Sequence, residues 1–513
     1  MTHTDLPLDA ARIWAEYDRA VQFNRGIGLY DTVENNENFF IGRQWEGVKS
    51  NGLPTPVFNF LKRVVMFSVA NIAAERIKLH ASPLAAVSDI DIRTLDAFSS
   101  VLNEQFAAIC EQNDFSGKVR EFCRNAAVDG DGCLYAYWDE EAMSSGNTKG
   151  AVRVEVLPNT QVLFGNPNER DVQRQPYLLL TRRMLLDEAK RYAFAHGVRD
   201  AERICADGRT DFRERLDALG GEKVTVLTRL WKDEKTGHVF ACECTKDKLL
   251  RKPWDLGISL YPLVWMPWDY VSDCYHGQAM ITGLIPNQIF VNKLYAMSMI
   301  SLMTLAYPKV IYDRTRIREW TNRVGAAVGV NGAVEDVAKI IDPAAISPQI
   351  AQFISLAVSD TQKFLGASDA ALGDVRPDNT SAIIALQRAA TTPLGITKQN
   401  LLSCIEQMGR IFIAFMAEYY GSRTVEIETE DKLRLAVPFD FSILGKVPCA
   451  LDIDAGAGAY WSEIANMQTL DNLLMQGKIP TSEYLRRLPE GQISDREALI
   501  TIMERAERGE SAP

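Results

Sequence analysis

Three stretches of this sequence have residue types and spacings that could do chemistry. "HVFACEC" sets His238, Cys242 and Cys244 at even spacing, so a strand would turn all three to one face. Three such ligands could begin a zinc site, but structural zinc takes four and no fourth lies nearby. The sequence favours a hairpin strand with its thiols turned inward. "DGDGC", Asp129 to Cys133, pairs two acids with two glycines. It lacks the third alternating acid and the distant Glu of a calcium loop, so it reads as a turn between helix and strand. "LGDVRPDNTSAIIALQR", Leu372 to Arg388, passes from a turn-rich run straight into a helical pattern. Helix N-termini of that kind often hold phosphate.

A bound nucleotide is a poor fit to that last stretch. A P-loop needs glycines and a Lys whose backbone and side chain wrap the phosphates, and none is present. Here Gly373 is alone, and Arg376 is flanked by Asp374 and Asp378, which would repel a triphosphate. The five histidines (His3, His80, His196, His238 and His276) have no nucleophile motif around them. Paired acids such as Asp139 with Glu140, or Glu428 with Glu430, read as solvated charge. Nothing argues for an enzyme or for a cofactor. The densest basic patch of the central region holds Lys309, Arg314, Arg316, Arg318 and Arg323. It reads equally as a docking surface for an acidic partner and as a solvated helix face.

The elements that must position these residues fall into two regimes. Helical periodicity predicts helices over the first ~20 residues, from about Phe60, over 91–113 and over 116–128. "NNENFFIGRQWEGV" reads as a polar loop ending at Trp45. "CLYAYWD", "VRVEVLP" and the hairpin "KVTVLTRLWKDEKTGHVFACEC" alternate as strands, which makes the first half α+β. The second half is helix-rich. A long helix is predicted from Thr282 to Pro308, with Pro286 in its first turn. A small interlude follows, with a strand "KVIYD", a short helix "TRIREWTNR" and further strands to Ile341. A second helix has Ser347 as N-cap and Pro348 at its first position. After the Leu372 loop a very long helix is predicted from Ser381 to Tyr420, kinked at Pro393 and ended by Gly421. Strands near "TVEIET" and "LRLAVPFDF" come next, then a helical tail. In that tail Gly477 ends one helix, and Ser494 with Glu497 forms a possible capping box.

Composition narrows the function classes. The chain has 513 residues and a net charge of -11, so it comprises several structural units and is no sequence-tolerant DNA gripper, which would be basic. Enclosing DNA without holding it remains compatible. Nine scattered cysteines form no disulfide framework and suit a reducing cytosol during assembly. The start of the sequence reads as lacking a signal peptide. "LYAMSMISLMTLAY", Leu294 to Tyr307, is shorter than the ~20 residues of a spanning helix, so no membrane partner is expected. Its Met and small polar residues suit packing against copies of itself in a ring.

The order of parts resembles the portal proteins of tailed double-stranded DNA bacteriophages, of the gp6-like kind. The resemblance rests on "NFFIGRQWEGV", "PVFNFLKRVVMFSVANI", "VDGDGCLYAYWD" and "VLPNTQVLFGNPNERDVQRQPYLLL", and on the sequence helix, small domain, helix, loop, very long helix. The tail "LDNLLMQGKIPTSEYLRRLPEGQI" has the same cadence. It implies a ring, usually of twelve copies, at one capsid vertex of the virion, assembled in the host cytoplasm. Double-stranded DNA would be packaged and ejected through its axial channel. Residues 1–281 would form a wing, completed by 381–460. Residues 282–308 and 343–366 would be stem helices, 309–342 a clip, 367–380 a tunnel loop and 461–513 a crown. The clip, with Lys309, Arg314, Arg316, Arg318 and Arg323, would dock the terminase large subunit and later a head-completion or adaptor protein. Major capsid and scaffolding proteins are further implied partners. Asp374, Arg376, Asp378 and Asn379 of the tunnel loop, with Lys293 of the stem, would meet the DNA. Two other readings stand beside this one: a structural capsid or tail-connector protein without a channel, and a metal-dependent enzyme built on His238.

Overall fold

A computed structural model describes residues 9–73, 78–83, 92–143, 149–208, 221–306, 310–317, 319, 321, 328–335, 337–340, 349–364, 392–428, 434–445, 447, 449–454, 469–488, 499–500 and 502–503. Helix α1 (Ala10–Gly26) starts at Asp9, whose carboxylate accepts the Arg12 amide at 2.8 Å. Helix α2 (Leu29–Ile41) lies between Gly28 and Gly42, with φ of 69° and 93°. The loop expected from Asn35 is therefore helical as far as Ile41. Val33, Asn36, Phe39 and Phe40 recur at helical spacing and are buried, and that packing overrides the loop-like run of Asn and Glu. Trp45 does anchor the chain that follows, donating its indole N–H to the Pro56 carbonyl at 2.9 Å. The helices α3 (Phe60–Ile72), α4 (Ile92–Gln112) and α5 (Phe115–Asp129) lie where periodicity puts them.

Two sheets carry the first half. The strands β2 (Asp131–Met143), β3 (Lys149–Val156) and β9 (Leu263–Pro267) form an antiparallel sheet in the order β3-β2-β9. A five-stranded antiparallel sheet runs in chain order through β4 (Val162–Phe164), β5 (Leu178–Leu185), β6 (Lys223–Lys232), β7 (Val239–Cys244) and β8 (Leu249–Asp255). Alternation splits its side chains between two cores. Leu227, Cys242 and Cys244 pack with Ile13, Trp14 and Val21 of α1, whereas Leu230, Val239 and Ala241 join Tyr261 and Tyr275. Helix α6 (Leu186–Ala195) covers one end of this sheet. Glu16 of α1 and Arg229 of β6 are both buried and meet at 2.8 Å. Each charge is compensated by the other, as burial of an ion requires.

The largest core joins distant parts of the chain. Helix α9 (Gly395–Tyr419) buries Leu401, Ile405, Met408, Phe412, Phe415 and Met416 against α5 and the β2–β9 sheet. Each fully buried side chain of this size contributes ~1.5–3 kcal/mol. Strand β1 (Lys78–Pro83) pairs antiparallel with β14 (Cys449–Asp454). Gly409 lets α9 lie close to that pair, since a Cβ there would sit 3.2 Å from Leu79 and Leu451. Strands β12 (Ser422–Glu428) and β13 (Arg434–Asp440) lie where two strands were expected, and they pair antiparallel. Before α9, Thr392–Leu394 forms a 3-10 turn, so the described helix begins just after Pro393. Residues 381–391 lie outside the described residues. Gly421, at φ 58°, ends the helix as expected.

Helix α7 (Ile285–Ala306) follows a 3-10 turn at Thr282–Leu284 and carries Pro286 in its first turn. Its 22 residues span ~33 Å. Strands β10 (Val310–Tyr312) and β11 (Ala338–Ile340) pair antiparallel, and α8 (Gln349–Phe364) packs back along α7. Ser347 and Pro348 lie outside the described residues. The short helix expected at Thr315 to Arg323 is absent at its described positions, which are turn or irregular. Asp313 captures that start: its carboxylate accepts the Thr315 amide at 2.8 Å, closing a side-chain turn that competes with helix. In the tail, 469–475 is helical and Gly477, at φ 64°, follows it. A short helix, Thr481–Arg487, comes next, and Ser494 and Glu497 lie outside the described residues.

Candidate functional site

The distinctive geometry is at the root and flanks of α7. Asp131, fully buried, accepts from His276 Nδ1 at 2.8 Å, from the Gly277 amide at 2.7 Å and from Asn159 Nδ2 at 3.3 Å. His276 Nε2 lies 3.2 Å from Asn24 Oδ1 of α1. Gly130, at φ 106°, faces this segment so closely that a Cβ would sit 2.8 Å from the Gly277 carbonyl. "DGDGC" is thus the helix–strand turn expected, since α5 ends at Asp129 and β2 begins at Asp131. It is also a knot that ties the approach to α7 onto the body. Three hydrogen bonds offset the desolvation of one carboxylate.

A second network holds the first turns of α7. Gln288 and Asn292, four residues apart, are buried on one face. Asn292 Nδ2 donates to Gln44 Oε1 at 2.6 Å, and Gln288 Nε2 donates to the Phe58 carbonyl at 2.8 Å. The Tyr295 ring stacks on Phe58 with centroids 3.9 Å apart. Asn36 donates from α2 to the Val128 carbonyl and to Thr282, each at 2.9 Å.

Past Tyr295 this support ends. Met297, Leu302 and Met303 are 51%, 56% and 55% exposed, and α7 carries one charge, Lys293, which is also exposed. On α8, Ile354 is buried while Phe353 and Leu356 are 55% and 54% exposed. A long helix with a single charge and this much exposed apolar surface is a surface available to be covered. Among the described residues no helix is long and apolar enough to cross a membrane.

The sequence-predicted residues scatter. Arg314 and Arg316 are exposed in the turn after β10, where Arg316 Nε lies 3.6 Å from Asp313 Oδ2. The two Thr315 bonds and the Arg316 charge hold the Asp313 carboxyl below its usual value. Lys309, Arg318 and Arg323 lie outside the described residues, as do Asp374, Arg376, Asp378 and Asn379. His238 does not join Cys242 and Cys244. It precedes β7, is half exposed and sits 3.0 Å from Asp255, while both thiols are buried against α1. Burial pushes the Cys242 thiol up to about 12 and Cys244 higher still. Among the described residues no group of three or more His, Cys, Asp or Glu is placed to hold a metal ion. Sequence reasoning missed the Asp131 knot and the Gln44–Gln288–Asn292 ladder. The signal available was a Gln and an Asn one turn apart on an otherwise apolar helix.

The helix pair thus has a root fixed by buried polar networks and outer apolar side chains left exposed in the protomer. Residues 28–440 match the family model described as phage P22-like portal protein. The chain belongs to the phage P22-like portal protein family. No curated protein matches it. The portal resemblance drawn from the sequence is borne out, and the kind of portal matched is P22-like. Membership implies a structural, non-enzymatic protein, ring oligomers within the phage head and a place at a capsid vertex.

Proposed function

We propose that copies of this chain close into a ring at one capsid vertex, through whose axial channel double-stranded DNA is packaged and later ejected. The observation that carries the reading is the exposed, nearly uncharged α7 beside α8 in a chain of this family. Pairing of β1 with β14, and the packing of α9 under β2 and β9, support a wing of 1–281 completed by 381–460. The helices α7 and α8 serve as the stem, 309–342 as the clip, 367–380 as the tunnel loop and 461–513 as the crown. The net charge of -11 suits a channel whose wall repels phosphate, so the duplex is centred and slides. Asp374 and Asp378 act this way in the tunnel loop, with Arg376 and Asn379 as sparse contact points. Arg314 and Arg316, with Lys309, Arg318 and Arg323, dock the terminase large subunit and then a head-completion or adaptor protein. Major capsid and scaffolding proteins hold the ring at its vertex.

Electron microscopy and native mass of the purified chain test this. Rings with a central hole at least as wide as a duplex are expected; monomers or closed particles would overturn it. Within the ring, Asp374→Lys with Asp378→Lys is expected to impair DNA packaging or retention. Unchanged packaging would remove the loop's electrostatic role.

A further inference from the structure

Away from the helix pair, a cavity opens between α1 and the sheet, where β4 ends and β5 begins. It encloses about 220 Å³. Buried Glu16, Phe164 and Tyr275 line it, with half-buried Phe23 and Tyr177 and exposed Arg19. Glu16, Arg19, Ala20 and Phe23 recur at three- and four-residue spacing, so one face of α1 serves the cavity. Phe164 and Tyr275 stack with centroids 4.2 Å apart. Gly165, just after β4, donates its amide to the Tyr177 carbonyl at 3.0 Å. A Cβ at Gly165 would sit 2.8 Å from that carbonyl, so glycine lets this wall close. Helix α1 precedes residues 28–440, so the family match does not include this side of the cavity.

Charge in the cavity is unbalanced. Both Glu16 oxygens accept from Arg229, at 2.8 and 3.3 Å, and the Arg229 guanidinium lies 4.7 Å from the Tyr177 ring. Arg12 is 3.9 Å from the same carboxylate. Burial and Glu16 raise the Tyr177 phenol, and Arg19, Arg229 and Arg12 all oppose that rise. One acid thus meets three arginines, in a chain whose net charge is -11. Arg19 forms no ion pair among the described residues, and its Nε donates to the Ala15 carbonyl of its own helix at 3.4 Å. The Tyr177 hydroxyl likewise has no acceptor among the described residues.

We infer that this cavity receives an aromatic side chain with a carboxylate beside it, presented by an acidic segment of a partner protein. The size suits a ring, since an apolar cavity of ~150 Å³ takes benzene. The walls suit it too, because stacked and edge-on rings attract beyond their buried area. Arg19 and the Tyr177 hydroxyl are the donors for the carboxylate. The rings are buried deep and Arg19 is exposed at the surface. That order fits a side chain inserted from a backbone that stays outside. The inference stands apart from the portal reading, because every group it uses belongs to one protomer.

Saturation-transfer NMR on the full chain tests this with four probes: acetyl-Phe-Asp-amide, acetyl-Phe-Asn-amide, acetyl-Ala-Asp-amide and phenylacetate. Acetyl-Phe-Asp-amide is expected to bind about threefold more tightly than its Asn counterpart, the effect of one exposed ion pair. Acetyl-Ala-Asp-amide should give no signal, and phenylacetate, with ring and acid but no backbone, should bind more weakly. Arg19→Gln should erase the threefold preference and leave the affinity for acetyl-Phe-Asn-amide unchanged. Ala20→Phe should fill the cavity and abolish binding of both Phe peptides, with a circular dichroism melt as the control for folding. Arg19 is exposed, so Arg19→Gln tests the site even if Ala20→Phe fails to fold. No preference for the acid, or one that survives Arg19→Gln, overturns the acidic partner. Phe-peptide binding untouched by Ala20→Phe overturns the cavity as its place. Phenylacetate binding as tightly as acetyl-Phe-Asp-amide would make this a site for small acids and overturn the partner segment.

Discussion

The α5–α9 core and the outer half of α7 are built from the same residue types and put to opposite uses. In the core, Phe412 is fully buried and meets Phe115 edge to face at 5.9 Å. On α7, Met297 and Met303 are more than half exposed although their helix carries a single charge. The difference lies in what surrounds each helix. Helix α9 is enclosed by elements of its own chain, whereas α7 leaves the body after its root is tied by Asp131, Gln44 and Asn36. Apolar surface in the first place stabilises the protomer; in the second it is available to a neighbour.

The largest effect should come from the core. Phe412→Ala removes a fully buried ring and should destabilise the protomer by ~3–5 kcal/mol, read as a lower denaturant midpoint with unchanged slope. Met303→Ala, the matched change on α7, should leave that midpoint within ~0.5 kcal/mol, as surface substitutions do. Equal losses at the two positions would break the contrast, because Met303 would then belong to the protomer core.

The root of α7 comes next. Asp131→Ala strands the Gly277 amide, Asn159 and His276 in a buried place and should cost ~3 kcal/mol. Asn292→Leu, which leaves the Gln44 amide oxygen without its donor, should cost ~1–3 kcal/mol. Hydrogen exchange should show the loss for Asn292→Leu concentrated at 285–295 and the Gln44 loop. A loss spread evenly over the protomer would mean that the ladder is ordinary core and not an anchor.

Much of the body was legible because its elements are locally consistent. Phe60, Val64 and Ile72 announce α3 by spacing alone, and Lys-Thr-Gly between alternating runs announces the β6–β7 hairpin. What stayed hidden depends on partners far away in the chain. Lys78–Pro83 becomes a strand only because Cys449–Asp454 lies beside it. Helix α2 needs the core to reward Phe39 and Phe40 for turning inward. Asp313 turns the start of the segment after β10 with two side-chain bonds from Thr315 that propensity does not weigh. The site is divided in the same way. The Met stripe of α7 was visible, but which of its residues stay exposed in the protomer depends on α8 and on the root packing.

The core also sets a pH limit that α7 should not share. Burial raises the thiols of Cys123, Cys242 and Cys404 to about 12, above the ~8.5 of an unfolded thiol. Between those values the unfolded chain has lost these protons and the folded chain keeps them, so protomer stability should fall as pH rises from ~9 towards 12. Replacing Cys242 with Ala should flatten that slope and leave stability at neutral pH to reflect packing alone. Alkylation gives the same contrast residue by residue. Exposed Cys205 should react with iodoacetamide at pH 8 while Cys123, Cys242 and Cys404 stay protected until the protomer unfolds.

The smallest effect should appear at the tip beyond α7. Asp313 is held below its usual range chiefly by the Thr315 hydroxyl and amide, and the side chain is partly exposed. A depressed carboxyl supports the turn above its unfolded value of ~3.9 and loses that support as pH falls through the lower folded value. Acidification should therefore loosen residues 313–317, seen as faster proteolysis there, with no shift in the protomer midpoint. Asp313→Asn should show the looser tip already at neutral pH and remove its acid dependence. If acid loosened the tip in neither, the turn would be held by the backbone bonds from Arg316 and Ile317 to the Asp313 carbonyl, at 3.1 and 3.0 Å, and the side chain would be incidental.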